Sequence, residues 1–397
     1  MDNGLLFSVA IICYRNFKYL KDAIDSVLIQ DYPRIELVVS DDGSGQFPIE
    51  EFNDYILEHK KSNICQFSVR SGSENVGTVR HLNQVRKLLH GDSICFLAGD
   101  DQFYDEHVLS SYAEAFSRAP DGCLVEMAQT AMFDEDMRSI QSLYMTQEVE
   151  DALIETKNDS STLLTLLISK GACLPSTSTC FRSGFFSKFG DFDESFLLVE
   201  DYPMHFRLAK EGWVIHCEKF IAIKHRHGGI SHGHKGALKK SQIMYLNDTK
   251  KMIKDYQLEN AKLLPPGKRR SVIRQKKAEL LWIDMQFARS ERGGISMISV
   301  AAKHPGYFID LCISKGYGIL KKATKWMIII CLLSWILNPC IVDLVSSSFN
   351  VNPDSVRPIC VCLSQVLLVM SGIAFVFYLI SFFYKRISTF PSKVIKK

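Results

Sequence analysis

The sequence predicts an α/β fold: a mostly parallel sheet with helices on both faces, followed by a C-terminal helical region and two helices of membrane-crossing length. Three observations carry this expectation. Apolar runs of strand length alternate with segments of helical period from Leu6 to Ala98, the pattern of a sheet covered by helices. Two of those runs end in paired acids, Asp41-Asp42 and Asp100-Asp101, where a parallel sheet places its ligands. Near the far end, two long apolar runs hold almost no charge.

Taken in order, Leu6–Cys13 reads as a buried strand. Leu20, Ile24, Val27 and Leu28 then recur at helical spacing after an Asn16 cap. Ile35–Ser40 is a second apolar strand and ends in Asp41-Asp42-Gly43-Ser44. A helix near Ile49–Lys60, a strand near Ile64–Val69, a loop and a helix from Thr78 to His90 follow. Ser93–Asp101, SICFLAGDD, is the stretch around which the chain is organised. Its apolar run delivers two adjacent carboxylates, and two like charges in contact repel unless a cation or strong donor lies between them. The alternative is a solvated turn whose acids cap the next helix.

The chain has 397 residues, 47% of them apolar, enough for a globular domain and a second part. A net charge of +3 gives no ground for a nucleic-acid partner. The twelve cysteines are scattered, with only Cys360 and Cys362 close together, and no spacing suits zinc. Most lie in apolar runs, where a reduced cysteine behaves as a small hydrophobe, so a reducing compartment is expected. No targeting signal is read at the amino terminus, where Asp2 stands in place of a basic region.

Trp326–Val345 contains one charge, Asp343, and Ile359–Tyr384 contains none; each is long enough to span a bilayer as a helix. Lys315, Lys321, Lys322 and Lys325 precede the first run, and Lys385 and Arg386 follow the second, so both termini are expected on the cytoplasmic side of an inner membrane. A buried helical hairpin is the competing reading. Expected boundaries are residues 1–235 for a catalytic domain, 236–322 for a basic helical region, 323–386 for a transmembrane hairpin and 387–397 for a cytoplasmic tail. The basic region either lies on anionic lipid or packs with a charged outer face.

The turn after the first strand, Cys13-Tyr14-Arg15-Asn16-Phe17, lacks the glycines of a dinucleotide fold, and no Walker-type loop occurs. Phosphate charge must therefore be met otherwise, and Mg²⁺ or Mn²⁺ held on carboxylates and diphosphate oxygens is the expected cofactor.

The strand-helix opening, Asp41-Asp42-Gly43-Ser44, Glu74-Asn75-Val76-Gly77 with Asn83 beyond it, and Asp100-Asp101 together resemble family 2 glycosyltransferases of the GT-A fold, over roughly residues 6–232. The likeness is to bacterial enzymes of surface-polysaccharide assembly. It implies a nucleotide-sugar donor held by Asp42 at the base and Asp100 near the ribose and sugar, with Asn75 and Asn83 in the donor site and a metal at Asp101. Many members carry an Asp two before the first acid of this pair, where this chain has Ala98, so which acid takes the metal stays open. Gly190-Asp191-Phe192-Asp193-Glu194 is similar to the turn preceding the acceptor site, and by resemblance Asp201 is the catalytic base with Glu200 in support. From the residues alone these two acids equally suit the first turn of a helix.

Ser176-Thr177-Ser178-Thr179 reads as a polar surface loop. Lys224-His225-Arg226-His227-Gly228-Gly229-Ile230-Ser231 reads as a mobile loop that covers the leaving diphosphate, or else as a solvated basic loop with no role. The family pattern there is Arg, one residue, then His; here His225 occupies the Arg position, and Arg226 is the alternative source of charge. The expected activity is inverting transfer of a hexose or N-acetylhexosamine to a hydroxyl of a polyprenyl-linked glycan. The alternatives are transfer to polyprenyl phosphate and a catalytically silent, nucleotide-binding membrane scaffold.

Overall fold

The computed structural model describes residues 4–155, 159–213, 215–226, 238–292, 294–308 and 310. The chain divides between Leu264 and Pro265 into two compact units. The first opens with β1 (Phe7–Cys13), α1 (Leu20–Leu28), β2 (Ile35–Asp41), α2 (Ile49–His59), β3 (Ile64–Ser71), α3 (Thr78–Arg86) and β4 (Ser93–Ala98). It continues through β5 (Gln102–Phe103), α4 (Val108–Arg118), β6 (Val125–Phe133), β7 (Ile140–Leu143), α5 (Gln147–Glu155), α6 (Ser160–Lys170), β8 (Thr179–Arg182) and α7 (Gly184–Phe189). It closes with α8 (Asp201–Lys210), β9 (His216–Arg226) and α9 (Lys240–Lys251), which runs on as a π-helical segment, Met252–Leu258. The second unit, as described, contains α10 (Pro266–Arg292) and α11 (Gly294–Ala302), joined through Ala278, Leu281, Met285 and Ala301.

The described strands form one sheet in the order β3-β2-β1-β4-β8-β6-β9-β5, with β7 on β6. β1 and β2 are buried on both faces, which is why they read as unbroken apolar runs. Their side chains alternate between two cores. Val9, Ile11, Leu37 and Val39 meet α1 through Ile24 and Val27, α2 through Phe52 and Ile56, and α4 through Leu109 and Tyr112. Ala10 and Val38 point to the other face, against Val85 of α3. Each fully buried side chain of this size contributes about 1.5–3 kcal/mol. α1 presents Leu20, Ala23, Ile24, Val27 and Leu28 on one stripe, but it begins at Leu20 after Tyr19; the expected Asn16 cap instead closes a tight turn onto the Tyr14 carbonyl.

The expectation of a mostly parallel sheet is corrected. β1–β2, β1–β4, β2–β3 and β6–β9 pair in parallel, whereas β4–β8, β5–β9, β6–β7 and β6–β8 are antiparallel. The parallel pairs among β1–β4 come from the part where strand and helix alternate in sequence, whereas every antiparallel pair involves β5, β6, β7 or β8, from 102–182. β6 is buried yet interrupted by Glu126, Gln129 and Thr130, each satisfied locally: Glu126 by His216, Gln129 by the Met145 backbone and Thr130 by Ser178. The Ser176–Thr179 stretch is likewise no surface loop, because Ser178 and Thr179 are buried and Ser178 donates to the Ala128 carbonyl.

The membrane expectation is also corrected. Among the described residues no helix is long and apolar enough to cross a membrane. α10 has the length, but Lys268, Arg269, Arg270, Arg274, Lys276 and Lys277 crowd its first half, and each such charge is costly in hydrocarbon. The two expected spans, Trp326–Val345 and Ile359–Tyr384, lie outside the described residues. The fold thus stands as mixed α/β with added helices, and the multi-pass inner-membrane placement with both termini cytoplasmic is not supported. The physical reason is that a long apolar run reports the free energy of leaving water and not which apolar surroundings receive it.

Glu36 is a charge buried in the sheet centre. Its carboxylate accepts from Ser8 Oγ, from Gln66 Nε2 at 2.6 Å, and from His90 through both the backbone N–H and Nδ1 at 2.7 Å. Burial alone would raise its pKa, but the bonds from His90 and Ser8 outweigh it, and the carboxyl sits below its usual range. Its stabilising effect is therefore present above the ordinary glutamate pKa and is lost as pH falls through the lowered value. Glu36→Ala removes the acceptor shared by the buried Ser8 hydroxyl and by the more exposed Gln66 and His90, and should cost on the order of 2 kcal/mol. Thermal melts at pH 7 and pH 3 should show the variant's deficit shrinking at the lower pH.

Candidate functional site

A cavity of about 650 Å³ opens beyond the carboxyl ends of β1, β2 and β4. Asp42, Asn75 and Asp100 line it together, from three separate connections, alongside Tyr14, Arg15 and His81. Gly99 forms part of its wall, where an added Cβ would come within 2.9 Å of the Cys13 Cβ.

Asp42 organises this wall. It is 5% exposed, and its carboxylate accepts from Asn75 Nδ2 at 2.7 Å and from the backbone N–H groups of Val76 and Gly77 at 3.0 Å. Three of roughly four lone-pair sites are thus occupied. Gly43, at φ +67°, lets the chain turn beneath the 74–77 loop, where a Cβ would lie 2.2 Å from the Glu74 carbonyl carbon. Asp41 points elsewhere and holds the turn itself, through Ser44 N–H at 2.8 Å and Ser71 Oγ at 2.7 Å. His81 Nε2 lies 2.9 Å from Ser40 Oγ, and burial pushes the imidazole pKa down.

The second acidic pair divides in the same way. Asp100 lines the cavity, and burial followed by repulsion from Asp101 pushes its carboxyl up. Asp101 is fully buried and does not line the cavity. One of its oxygens lies 3.0 Å from His225 Nδ1, and the other accepts from the Arg226 backbone N–H at 3.2 Å. Burial opposes protonation of His225, but Asp101 outweighs it and holds the imidazole above its usual range. Arg226 is 6% exposed and fully engaged: it donates to the Asp100 carbonyl at 3.3 Å, to the Glu135 carbonyl at 2.6 Å and to Asp22 at 3.2 Å, and its guanidinium lies 3.8 Å above the Tyr19 ring. His227 lies outside the described residues.

Among the described residues, no group of three or more histidine, cysteine or acidic side chains is arranged to hold a metal ion. A hard divalent cation needs no such group when phosphate oxygens and water complete its shell. Asp100, facing the cavity with its charge opposed only by its own backbone and by His225 and Arg226 behind it, fits that role. Asp101 accepts one bond on each oxygen, is fully buried and does not line the cavity.

The remaining expected residues stand apart from the cavity. Asn83 is 1% exposed and spends its amide on the 192–194 turn, donating to the Phe192 carbonyl at 3.0 Å and to Glu194 at 3.1 Å while accepting from Phe192 N–H at 2.9 Å. Glu200 and Asp201 begin α8. Burial and then repulsion from Asp201 push Glu200 up to about 8, and burial pushes Asp201 up to about 6. The charge of Asp201 reaches Tyr144 and Tyr245, whose phenol pKa values are raised first by burial and then by that charge. Neither acid lines the cavity, but Leu198, just before them, does.

Helix α9 connects these two places and was not anticipated as part of the site. Met244 lines the cavity, while Tyr245 beside it is within reach of the Asp201 charge, which adds to burial in raising its pKa. Asp248, 5% exposed, accepts from three successive backbone N–H groups, Leu197 at 2.9 Å, Leu198 at 2.7 Å and Val199 at 3.3 Å. At the other end of α9, Lys239, Lys240 and Ser241 line the cavity. The only signal in the sequence was the Lys239-Lys240 pair, one of several basic pairs in that region.

Residues 8–164 match the family model for glycosyl transferase family 2. A 221-residue stretch, 56% of this chain, is 26% identical to an uncharacterized glycosyltransferase of Rickettsia typhi and covers 64% of it. A stretch of 105 residues, 26% of this chain, is 33% identical to an uncharacterized glycosyltransferase of Mycoplasma genitalium and covers 34% of it. The chain thus spans less than two thirds of the length of these relatives. Among solved structures it is similar to S. aureus TarS 1–349 in complex with UDP-GlcNAc, at TM-score 0.48 and 16% identity over 79% of this chain and 92% of that one. It is also similar to a Pyrobaculum calidifontis mannosyltransferase in complex with GDP-Man and Mn²⁺, at TM-score 0.45 and 13% identity over 77% and 78% of the two chains. The sequence matches support a glycosyltransferase of family 2, in agreement with the resemblance carried by the motifs; they do not extend to membrane tethering or to O-antigen type.

Asp248→Ala would leave three backbone donors without their acceptor and should cost about 2 kcal/mol. In a unit of this size that lowers the melting temperature by roughly 4–8 °C. A melting temperature equal to wild type would show that the 197–199 turn does not depend on α9.

Proposed function

We propose that the cavity binds a nucleoside diphosphate sugar and that the chain transfers the sugar, with inversion, to an acceptor hydroxyl. The observation that supports this reading is the convergence of Asp42, Asn75 and Asp100 on one cavity at the carboxyl ends of parallel strands, within the segment that matches the family. In this reading the donor occupies the cavity, with Asp42 and Asn75 toward the base and Asp100 toward the diphosphate. Asp100 would hold Mg²⁺ or Mn²⁺, with Asp101 and His225 bracing the turn behind it; the ion, when bound, neutralises charge on the departing diphosphate.

Asp201 accepts the proton of the acceptor hydroxyl as the acceptor oxygen bonds to the anomeric carbon. The bond from that carbon to the diphosphate oxygen breaks, and its electron pair leaves with the nucleoside diphosphate. A base held near 6 is ionised at neutral pH yet still accepts a proton effectively. A polyprenyl-linked glycan remains the proposed acceptor form, with the transferred group a hexose or N-acetylhexosamine. Among the described residues no helix is long and apolar enough to cross a membrane, so free and lipid-linked glycans belong in the same assay.

A screen of nucleotide sugars with Mg²⁺ or Mn²⁺, read as released nucleoside diphosphate, should identify a donor. No release with any donor and acceptor would overturn the enzyme reading in favour of a silent nucleotide-binding protein. With a hydroxyl acceptor, Asp201→Asn should lower kcat by roughly 10²–10⁴-fold. Retained transfer to polyprenyl phosphate, an acceptor that is already an anion, would overturn the hydroxyl assignment.

The pH profile follows from the same pair. Glu200 and Asp201 interact and titrate together, the first proton leaving near the lower value. Below about 6 the base is protonated and cannot accept, so kcat/KM should fall as pH drops through that point. A profile that stays flat down to pH 4.5 would remove Asp201 from the proton transfer.

A further inference from the structure

The strand-end cations of this site are already committed. Arg226 spends its guanidinium on the Asp100 and Glu135 carbonyls, Asp22 and the Tyr19 ring, and His225 is bound to Asp101. Neither lines the cavity. Arg15 also lines the cavity, its guanidinium over the Tyr14 ring at 5.0 Å. Yet the cavity wall carries the Asp100 carboxylate, and a diphosphate would bring further negative charge beside it.

We propose that Lys239 and Lys240 are the cations that bind the donor diphosphate in this cavity and hold it as the leaving group departs. Both lysines line the cavity, and among the described residues neither ammonium has an ion-pair partner. Their position is fixed by the helix they introduce. Asp248 ties α9 to the backbone of 197–199, and Lys251 Nζ donates to the Ser195 carbonyl at 3.2 Å and to Ser195 Oγ at 2.5 Å. Positive charge carried at the cavity wall by the start of an anchored helix stabilises the negative charge that develops on a leaving group. The anomeric carbon–oxygen bond still breaks as described above, its electron pair going to the diphosphate oxygen; the lysines receive charge and not a proton. The role rests on the nucleotide-sugar reading of the cavity.

Calorimetric titration with UDP and GDP, and with uridine and guanosine, tests it on the full chain in Mn²⁺ and in EDTA. Replacing both lysines by alanine (Lys239→Ala with Lys240→Ala) should weaken whichever diphosphate binds by about 10- to 100-fold and leave the matching nucleoside unchanged. Replacing both by arginine should keep affinity within about threefold, since the charge is retained. Lys254→Ala, exposed and outside the cavity, should bind as wild type does. Both target lysines are exposed, so the variants should keep the wild-type melting temperature. Undiminished diphosphate affinity in the double alanine variant would overturn the lysine assignment while leaving the nucleotide reading intact. Wild-type protein that binds neither diphosphate would overturn the nucleotide reading and this inference with it.

Discussion

One buried carboxylate holds the site together. Asp42 leaves β2 into an almost water-free position, where an unpaired charge would be prohibitively costly. The cost is met by folding the 74–77 loop back, so that the Asn75 amide and the N–H groups of Val76 and Gly77 all point at one acid. The same contacts set the start of α3 and form one wall of the cavity. Gly43 and Gly77, both at positive φ, let the two chain segments approach closely enough for this.

Each acidic pair resolves its internal repulsion by dividing labour. Asp41 and Asp101 turn inward, where serine hydroxyls or the His225 imidazole and backbone amides neutralise them. Asp42 and Asp100 turn to the cavity. The inward acids brace the turns; of the two that line the cavity, Asp42 also anchors the 74–77 loop. Arg226 belongs with the inward group: stacked on Tyr19 and bonded to the Asp100 carbonyl, it fixes the backbone from which Asp100 projects.

Helix α9 extends this logic across the site. Through Asp248 it holds the stretch of chain that delivers Glu200 and Asp201, and through Lys240 and Met244, with Lys239 just before it, it lines the cavity. Geometry at the proposed base and at the proposed leaving group therefore shares a single rigid element, so a disturbance of α9 reaches both.

The primary structure by itself determined the β1–β4 half of the sheet, because strands buried on both faces must be continuously apolar and their covering helices must carry an apolar stripe. It also determined which acids stand at strand ends, since Asp42 and Asp100 follow those runs directly. Tertiary structure decided the rest. β6 was hidden because buried polar residues such as Glu126 and Gln129 are tolerated only by partners distant in sequence. Asn83 and Arg226 look like ligand-binding groups in isolation, but only packing reveals that Phe192, Glu194, Glu135 and Asp22 occupy them. The two apolar runs expected to cross a membrane lie outside the described residues, and among the described residues no helix is long and apolar enough to do so. Lys239 and Lys240 were one basic pair among several until the Asp248 anchor placed their helix against the cavity, a pairing of distant segments that no local pattern encodes.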